Sequence, residues 1–252
     1  MIQTFYHCKV CTAFALLSLL IVSPPLSAQT RGRHEPIGVE KSIKADFQLG
    51  ALELTVKPHH HGNLFDYIYT SGDSTDLSCN YSVDTDGEAN LELMTSSTGQ
   101  NERRKVRISF NSFFSKDKET EKPRVMELSL SDSLPMELSL SLGAAAATLD
   151  LSGLKLSAFS LSSGASNNAV RFTKPNPVQM KTMEISTGAS KLEMTGLGYA
   201  NFDTMELSGG ATNVVLDFGG NIRRQVKAEI SIGAGSVRIL VPKDLAVRIN
   251  AS

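Results

Sequence analysis

The stretch that decides the fold is residues 136–241, where one phrase returns five times: MELSLSLGAAAATLDL (136–151), FSLSSGASNNAVRF (159–172), MEISTGASKLEMTG (183–196), MELSGGATNVVLDF (205–218) and AEISIGAGSVRILV (228–241). Each copy pivots on a glycine. The pivots are Gly143, Gly164, Gly188, Gly210 and Gly233, separated by 21, 24, 22 and 23 residues. A self-similar period in this range belongs to units that stack because none can bury its apolar face alone.

Counted from the pivots, apolar residues fall on a fixed comb. Leu140, Leu161, Ile185, Leu207 and Ile230 stand three before, and Leu138, Phe159, Met183, Met205 and Ala228 five before. Leu149, Val170, Met194, Leu216 and Ile239 stand six after. Steps of two on both sides of the glycine describe two short strands, each with one buried face. Ser always stands two before the pivot and Ala always follows it. The glycine supplies either a backbone angle or a close approach that a Cβ would forbid. The Ala is expected to fill a tight interior corner.

If each copy makes one lap, equivalent residues stack about 4.8 Å apart, with aliphatic ladders inside and serine ladders outside. The expected fold is all-β: a single-stranded parallel β-helix (β-solenoid) of about five turns over residues 124–252, preceded by an antiparallel β-rich segment over 37–123. Residues 1–28 read as an export signal. Lys9 and the amino terminus supply positive charge, residues 10–22 the apolar run, and Leu26-Ser27-Ala28 a cleavage site. That run is too short for a comfortable membrane span. The mature chain is therefore expected in the periplasm or at the cell surface, without a transmembrane span.

Composition narrows the function. With 25 basic and 26 acidic residues, no charge excess argues for nucleic acid. Trp is absent and aromatics are 6%, which weakens any carbohydrate-stacking groove. Of three cysteines, Cys8 and Cys11 lie in the signal; their spacing suits a redox or zinc pair, but their place does not. Cys79 then stands alone in the mature chain, which excludes an internal disulfide.

Between the signal and the repeats, residues 29–35 read as a polar lead. A sixth, distant copy, ADFQLGALELTV (45–56), pivots on Gly50; it either begins the stack on the far side of an inserted segment, the preferred reading, or belongs to a separate amino-terminal sheet. LFDYIYT (64–70) and KVRISFNSFF (105–114) read as strands of the antiparallel segment. SCNYSVDTDGEANLELM (78–94) reads as a hairpin turning at Asp86-Gly87. KDKETEK (116–122) is a solvated connection. Loops 173–179, 197–203 and 218–225 should cluster on one side. Val247, Ile249 and Ala251 begin a further alternating strand, so either the last turn is left open or the sequence is incomplete at its carboxyl end.

Three constellations invite chemistry. His59-His60-His61 suggests a metal, yet on an extended chain only His59 and His61 share a face, and a polar turn is the expected role. Glu184, Glu206 and Glu229 stand four before their pivots and would form a like-charge ladder on the outer face. Lys181, Lys191, Lys227 and Arg238 can neutralise it, and a divalent cation is the alternative. Asp150 and Asp217, seven after their pivots, with Arg171, are the acids and base a glycan-active β-helix would need. Enzyme motifs such as G-x-S-x-G, H-E-x-x-H and the P-loop are absent from the sequence. The expectation is therefore no catalytic, cofactor or metal site.

The run from MELSLSLGAAAATLDL through PNP to GAGSVRILVPKDLAVRI resembles the toast-rack family, related to the carboxyl-terminal domain of LiaF, to cell-wall-active antibiotic response proteins and to adhesin-like β-solenoids. The resemblance covers residues 37–252 and implies an extracytoplasmic domain without catalysis. LiaF-like members are membrane-anchored inhibitors of an envelope-stress sensor kinase; this chain departs from them in its cleavable-looking signal. The expected function is an exported, non-enzymatic envelope-associated binding or scaffolding protein, with a link to envelope stress and an unidentified envelope or surface partner. The alternatives are a surface adhesin or module that self-associates through its open carboxyl-terminal turn, and a glycan-active enzyme.

Overall fold

Period-two alternation gives strands and almost nothing else. The computed structural model describes residues 29–60, 62–72, 75–97 and 124–250. The chain runs β1 (Gln29–Pro36), β2 (Ser42–Leu49), β3 (Leu52–His59), β4 (Asn63–Ser71), β5 (Thr75–Val83), β6 (Glu88–Ser97), β7 (Val125–Ser131), β8 (Pro135–Asp150), β9 (Lys155–Arg171), β10 (Met180–Thr195), β11 (Phe202–Asp217) and β12 (Lys227–Leu240). One 3-10 turn (Leu197–Tyr199) interrupts them. All twelve belong to a single mixed sheet that is not closed into a barrel. The export signal, the strand at 105–114 and the charged connection at 116–122 lie outside the described residues.

The repeats pair as their comb requires. β8, β9, β10, β11 and β12 lie side by side in parallel, with Leu140 opposite Leu161, Leu161 opposite Ile185, Ile185 opposite Leu207 and Leu207 opposite Ile230. Leu140, Leu161, Ile185 and Leu207 are buried to 2% exposure or less. The serine row faces outward on every rung. Of the two readings of the pivot glycine, close approach holds: a Cβ on Gly164 would stand 2.8 Å from the Gly143 carbonyl oxygen, and one on Gly188 2.9 Å from that of Gly164.

The Ala after each pivot does not fill the inner corner; it points outward. The corner is lined instead by the residues one before and two after the glycine. On β9 these are Ser163 and Ser166, on β10 Thr187 and Ser190, on β11 Gly209 and Thr212. Asn168, fully buried, donates to Ser163 Oγ at 3.0 Å and Ser166 Oγ at 2.9 Å, while its Oδ1 accepts nothing. A polar pocket thus sits inside an otherwise aliphatic core.

The distant sixth copy joins the stack. β2 lies parallel on the first half of β8 and β3 on the second, with Phe47 opposite Leu140 and Val56 opposite Leu149. Beyond them β6 pairs in parallel with β2 and β7 in parallel with β3, making a split rung. The segment between 63 and 97 is therefore not purely antiparallel. It holds the expected β5–β6 hairpin, with Gly87 at φ 87° in its turn. Its β6 also extends the parallel ladder.

The next rung runs backwards. β4 covers β7 and β5 covers β6, both antiparallel, so the chain crosses the second half first and the first half second. Buried faces still meet buried faces: Phe65, Tyr67 and Tyr69 lie opposite Leu130, Leu128 and Met126. The polar lead turns out to be a strand, β1, pairing antiparallel with β4 at the sheet's edge. Its Arg33 guanidinium lies 5.8 Å from the ring centroids of both Phe65 and Tyr81, a cation–π lid over the end of the core. Residues 241–250 form no strand, against the expected alternating one.

Candidate functional site

The sequence-nominated residues are brought to four places. The register sets Glu184 beside Glu206 and Glu206 beside Glu229, as expected for the acidic row. Lys227 pairs with Glu229, and that hydrogen bond raises the Lys227 ammonium above its ordinary value. Among the described residues no three His, Cys, Asp or Glu side chains converge on a point that could hold a metal ion. Within the row, Glu229 takes its cation from its own strand.

His59 faces Asp66 at 3.5 Å and His60 pairs with Asp132, which ties the β3–β4 turn to the β7–β8 turn. Asn63 Nδ2 donates to Asp66 Oδ1 at 2.9 Å, occupying that carboxylate's other oxygen. His61 lies outside the described residues. The histidines take separate acidic partners, one from the end of β3 to β4 and one between turns.

Asp150 and Asp217 close turns. Asp150 Oδ1 accepts from the Ser152 backbone N–H at 3.1 Å and from its hydroxyl, and Asp150 Oδ2 accepts from Arg171 at 2.6 Å across the ladder. Burial works to raise this carboxyl, but the Ser152 and Arg171 hydrogen bonds outweigh it and hold it below the ordinary carboxylate value. Asp217 Oδ1 accepts from the Gly219 backbone N–H at 2.8 Å. Asp150 lies opposite Arg171 on the next rung, whereas Asp217 lies opposite Leu240, so the two acids do not face one substrate position. Their chemistry here is that of side chains capping the end of a strand.

The three variable loops do gather. The Asn176 backbone N–H donates to the Tyr199 carbonyl at 2.8 Å, and that of Gly198 to the Gly219 carbonyl at 3.0 Å. Fully buried Asn176, between two prolines, donates its Nδ2 to the carbonyls of Leu156 and Ala200. Arg224 then donates to Asp203 Oδ1 at 3.0 Å and to Asn201 Oδ1 at 2.9 Å. This network staples loop to loop and leaves a space of only about 10 Å³ beneath them. Asn176 escaped the sequence reading because its partners are backbone carbonyls on neighbouring rungs, 20 and 24 residues away.

The fifth rung differs from the rest. Ile239 and Val237 occupy core positions yet are 40% and 41% exposed, with Leu240 and Val241 exposed beside them. β12 pairs with β11 alone among the described strands, so its other edge presents unpaired N–H and C=O groups. A hollow of about 410 Å³ lies elsewhere, along the pivot corner between Gly50, Met94, Thr95 and Gly143.

These features define a class: an all-β chain whose long parallel strands lie side by side in one mixed sheet, with antiparallel strands at its amino-terminal side. The model of the N-terminal domain of toast_rack, DUF2154, matches residues 33–182. The chain belongs to the toast-rack family. Among solved structures it is similar to a candidate cell adhesion protein from Clostridium sporogenes, at TM-score 0.62 and 16% identity, over 86% of this chain and 100% of that one. A candidate adhesin from Bacteroides fragilis matches at TM-score 0.27 and 10% identity, over 86% of this chain and 99% of that one. The first likeness is one of fold, and the second is too slight to argue from. No curated protein matches the chain.

Proposed function

We propose that this chain is an exported, non-enzymatic β-solenoid that serves as a binding or scaffolding element at the cell surface or envelope, adhesion included. The coil reading rests on reach. Residues 151–154 join β8 to its parallel neighbour β9, and four residues span at most about 14 Å. The 16 residues of β8 would cover about 53 Å if straight. Each long strand must therefore turn back on itself, and β8 to β12 read as five laps.

The observation that carries the functional reading is the state of the outward side chains. The acids a hydrolytic reading needs are held apart as turn caps, Asp150 bonded to Arg171 and Asp217 to the Gly219 backbone, which leaves the regular outward faces as a surface to display to a partner. The signal-like residues 1–28 support export, and no helix among the described residues is long and apolar enough to cross a membrane. The adhesion description of the C. sporogenes protein supports the surface reading.

The test is fractionation of the native host with amino-terminal sequencing of the recovered chain, followed by titration of the purified protein onto whole cells or envelope. Expected are a chain beginning near Gln29 outside the cytoplasm and saturable binding. A full-length chain confined to the cytoplasm, or binding no greater than that of a denatured control, overturns the reading.

A further inference from the structure

The chain carries eight methionines, of which Met1 lies outside the described residues. The fold sorts the other seven unequally. Met126, Met136, Met180, Met183 and Met194 are fully buried and Met205 is 1% exposed, whereas Met94 on β6 is 42% exposed. Met183 and Met205 lie opposite one another inside the stack. Among the described residues, Met94 alone offers a thioether side chain to solvent.

Its place in the pattern is also distinct. Met94 stands opposite Gln48, and that outward row continues through the serines of β8 to β12. On its other side it stands opposite Ser78. Every other member of the row is an amide or a hydroxyl. The Met94 side chain adds nothing to the core. It lines the hollow of about 410 Å³ at the pivot corner, which is wide enough for a small oxidant to approach.

We infer that Met94 is a methionine-oxidation site, at which a peroxide is consumed without loss of the fold. The inference is independent of the proposed surface role. In the step itself, the thioether sulfur donates an electron pair to one oxygen of hydrogen peroxide. An S–O bond forms as the O–O bond breaks, and the departing hydroxide takes the proton left on the transferred oxygen and leaves as water. Sulfur is oxidised by the same electron pair that reduces the peroxide.

The row explains why the product is tolerated. A sulfoxide is polar, so it disrupts an apolar core, but on this face it matches its neighbours. The Ser78 hydroxyl is engaged with the Met94 backbone carbonyl at 3.2 Å. Gln48, across the ladder, carries amide N–H groups of the kind that donate to such an oxygen. The six core thioethers have no polar setting, and a peroxide reaches them only through a local opening of the stack. Cys79 is the other sulfur partly open to solvent; Arg33 donates to its Sγ at 3.5 Å. It follows its own oxidation ladder and is read on its own peptide.

The experiment treats the full purified chain with hydrogen peroxide for increasing times and maps each methionine by peptide mass spectrometry. Met94 should gain one oxygen at least about tenfold faster than any of the six core methionines, because each of those needs an opening first. The chain oxidised at Met94 alone should melt as cooperatively as the untreated one. Met94→Leu should remove the early oxidation and stay folded. Met94→Gln, which copies Gln48, should leave the melt unchanged, whereas Met183→Gln should lower it. The inference is overturned if Met94 stays reduced while core methionines oxidise, or if all seven oxidise together. It is equally overturned if oxygen on Met94 abolishes the cooperative melt, or if Met94→Gln destabilises as much as Met183→Gln.

Discussion

A glycine repeated at every corner could be a conformational necessity or a spatial one, and the distinction predicts different mutants. The pivot glycines Gly143 and Gly164 do not have positive φ, so Ala suffers only from what its Cβ meets. At Gly164 that is a carbonyl oxygen at 2.8 Å; at Gly143 the nearest atom is 3.4 Å away. Gly164→Ala should therefore destabilise by about 1–3 kcal/mol through forced separation of rungs, and Gly143→Ala by less than about 1 kcal/mol. Gly196 combines φ 72° with a Cβ that would come within 1.9 Å of the Phe172 carbonyl oxygen, so Gly196→Ala should be the worst of the three. Urea unfolding of the three variants checks the order; equal losses would mean the corner relaxes freely. The buried Asn168 offers a second contrast. Asn168→Ala leaves Ser163 and Ser166 without its two hydrogen bonds, at about 1–3 kcal/mol. A triple variant combining Ser163→Ala, Ser166→Ala and Asn168→Leu would remove the orphaned Oδ1 too, and should be near neutral or stabilising. Leu192 already occupies the equivalent place one rung away.

Among the elements, the long strands were legible and their surroundings only partly so. Leu161, Ile185 and Leu207 could be read as one ladder because alternation and the glycine spacing fix both face and register without any tertiary knowledge. The outward Ala was legible as well, since the inward residues six after the pivot put the one just after it on the outer face by alternation; the inner-corner expectation overlooked that parity. β1 hid behind charge: Arg31 and Arg33 sit in an edge strand, where one face is free to be polar. The reversed rung was invisible because β4 and β5 join partners fixed by residues well beyond their own hairpin. Asp150 and Asp217 were found as candidates but their turn-capping role was not, since a turn-capping Asp and a catalytic one look alike until partners are seen. Asp150 tests that assignment by pH. Its carboxyl is lower in the folded than in the unfolded state, so its stabilisation is present above the unfolded value near pH 4 and is lost as pH falls through the folded one. Asp150→Asn should thus cost about 1 kcal/mol at neutral pH, discounted for its partly exposed partner Arg171. The gap should close in strong acid. Thermal melts at both extremes decide this, and a gap independent of pH would place the loss in packing rather than charge.

At the scale of the whole molecule, stability should run downhill from one end of the stack to the other. Each rung is held by its two neighbours, so the energy of opening one depends on how many neighbours it has and how much apolar surface they bury. β9 and β10 lie between long partners and keep their core residues at 1% exposure or less at Phe159, Leu161, Met183 and Ile185. Among the described strands β12 has one partner, and its Val237 and Ile239 are two-fifths exposed. The amino-terminal end is also an edge, yet there Arg33 covers the aromatic rings and β1 covers β4. Amide exchange should therefore be fastest along residues 227–240, intermediate in β1 and slowest in β9 and β10. The gradient should be one-sided, because fraying that starts at β12 exposes β11 next, whereas fraying at the other end must first break the Arg31–Asp76 pair and lift Arg33 from two rings. Symmetric exchange from both ends would show that the charged lid contributes nothing. Uniform protection through β12 would show that its exposed edge is held by the chain itself.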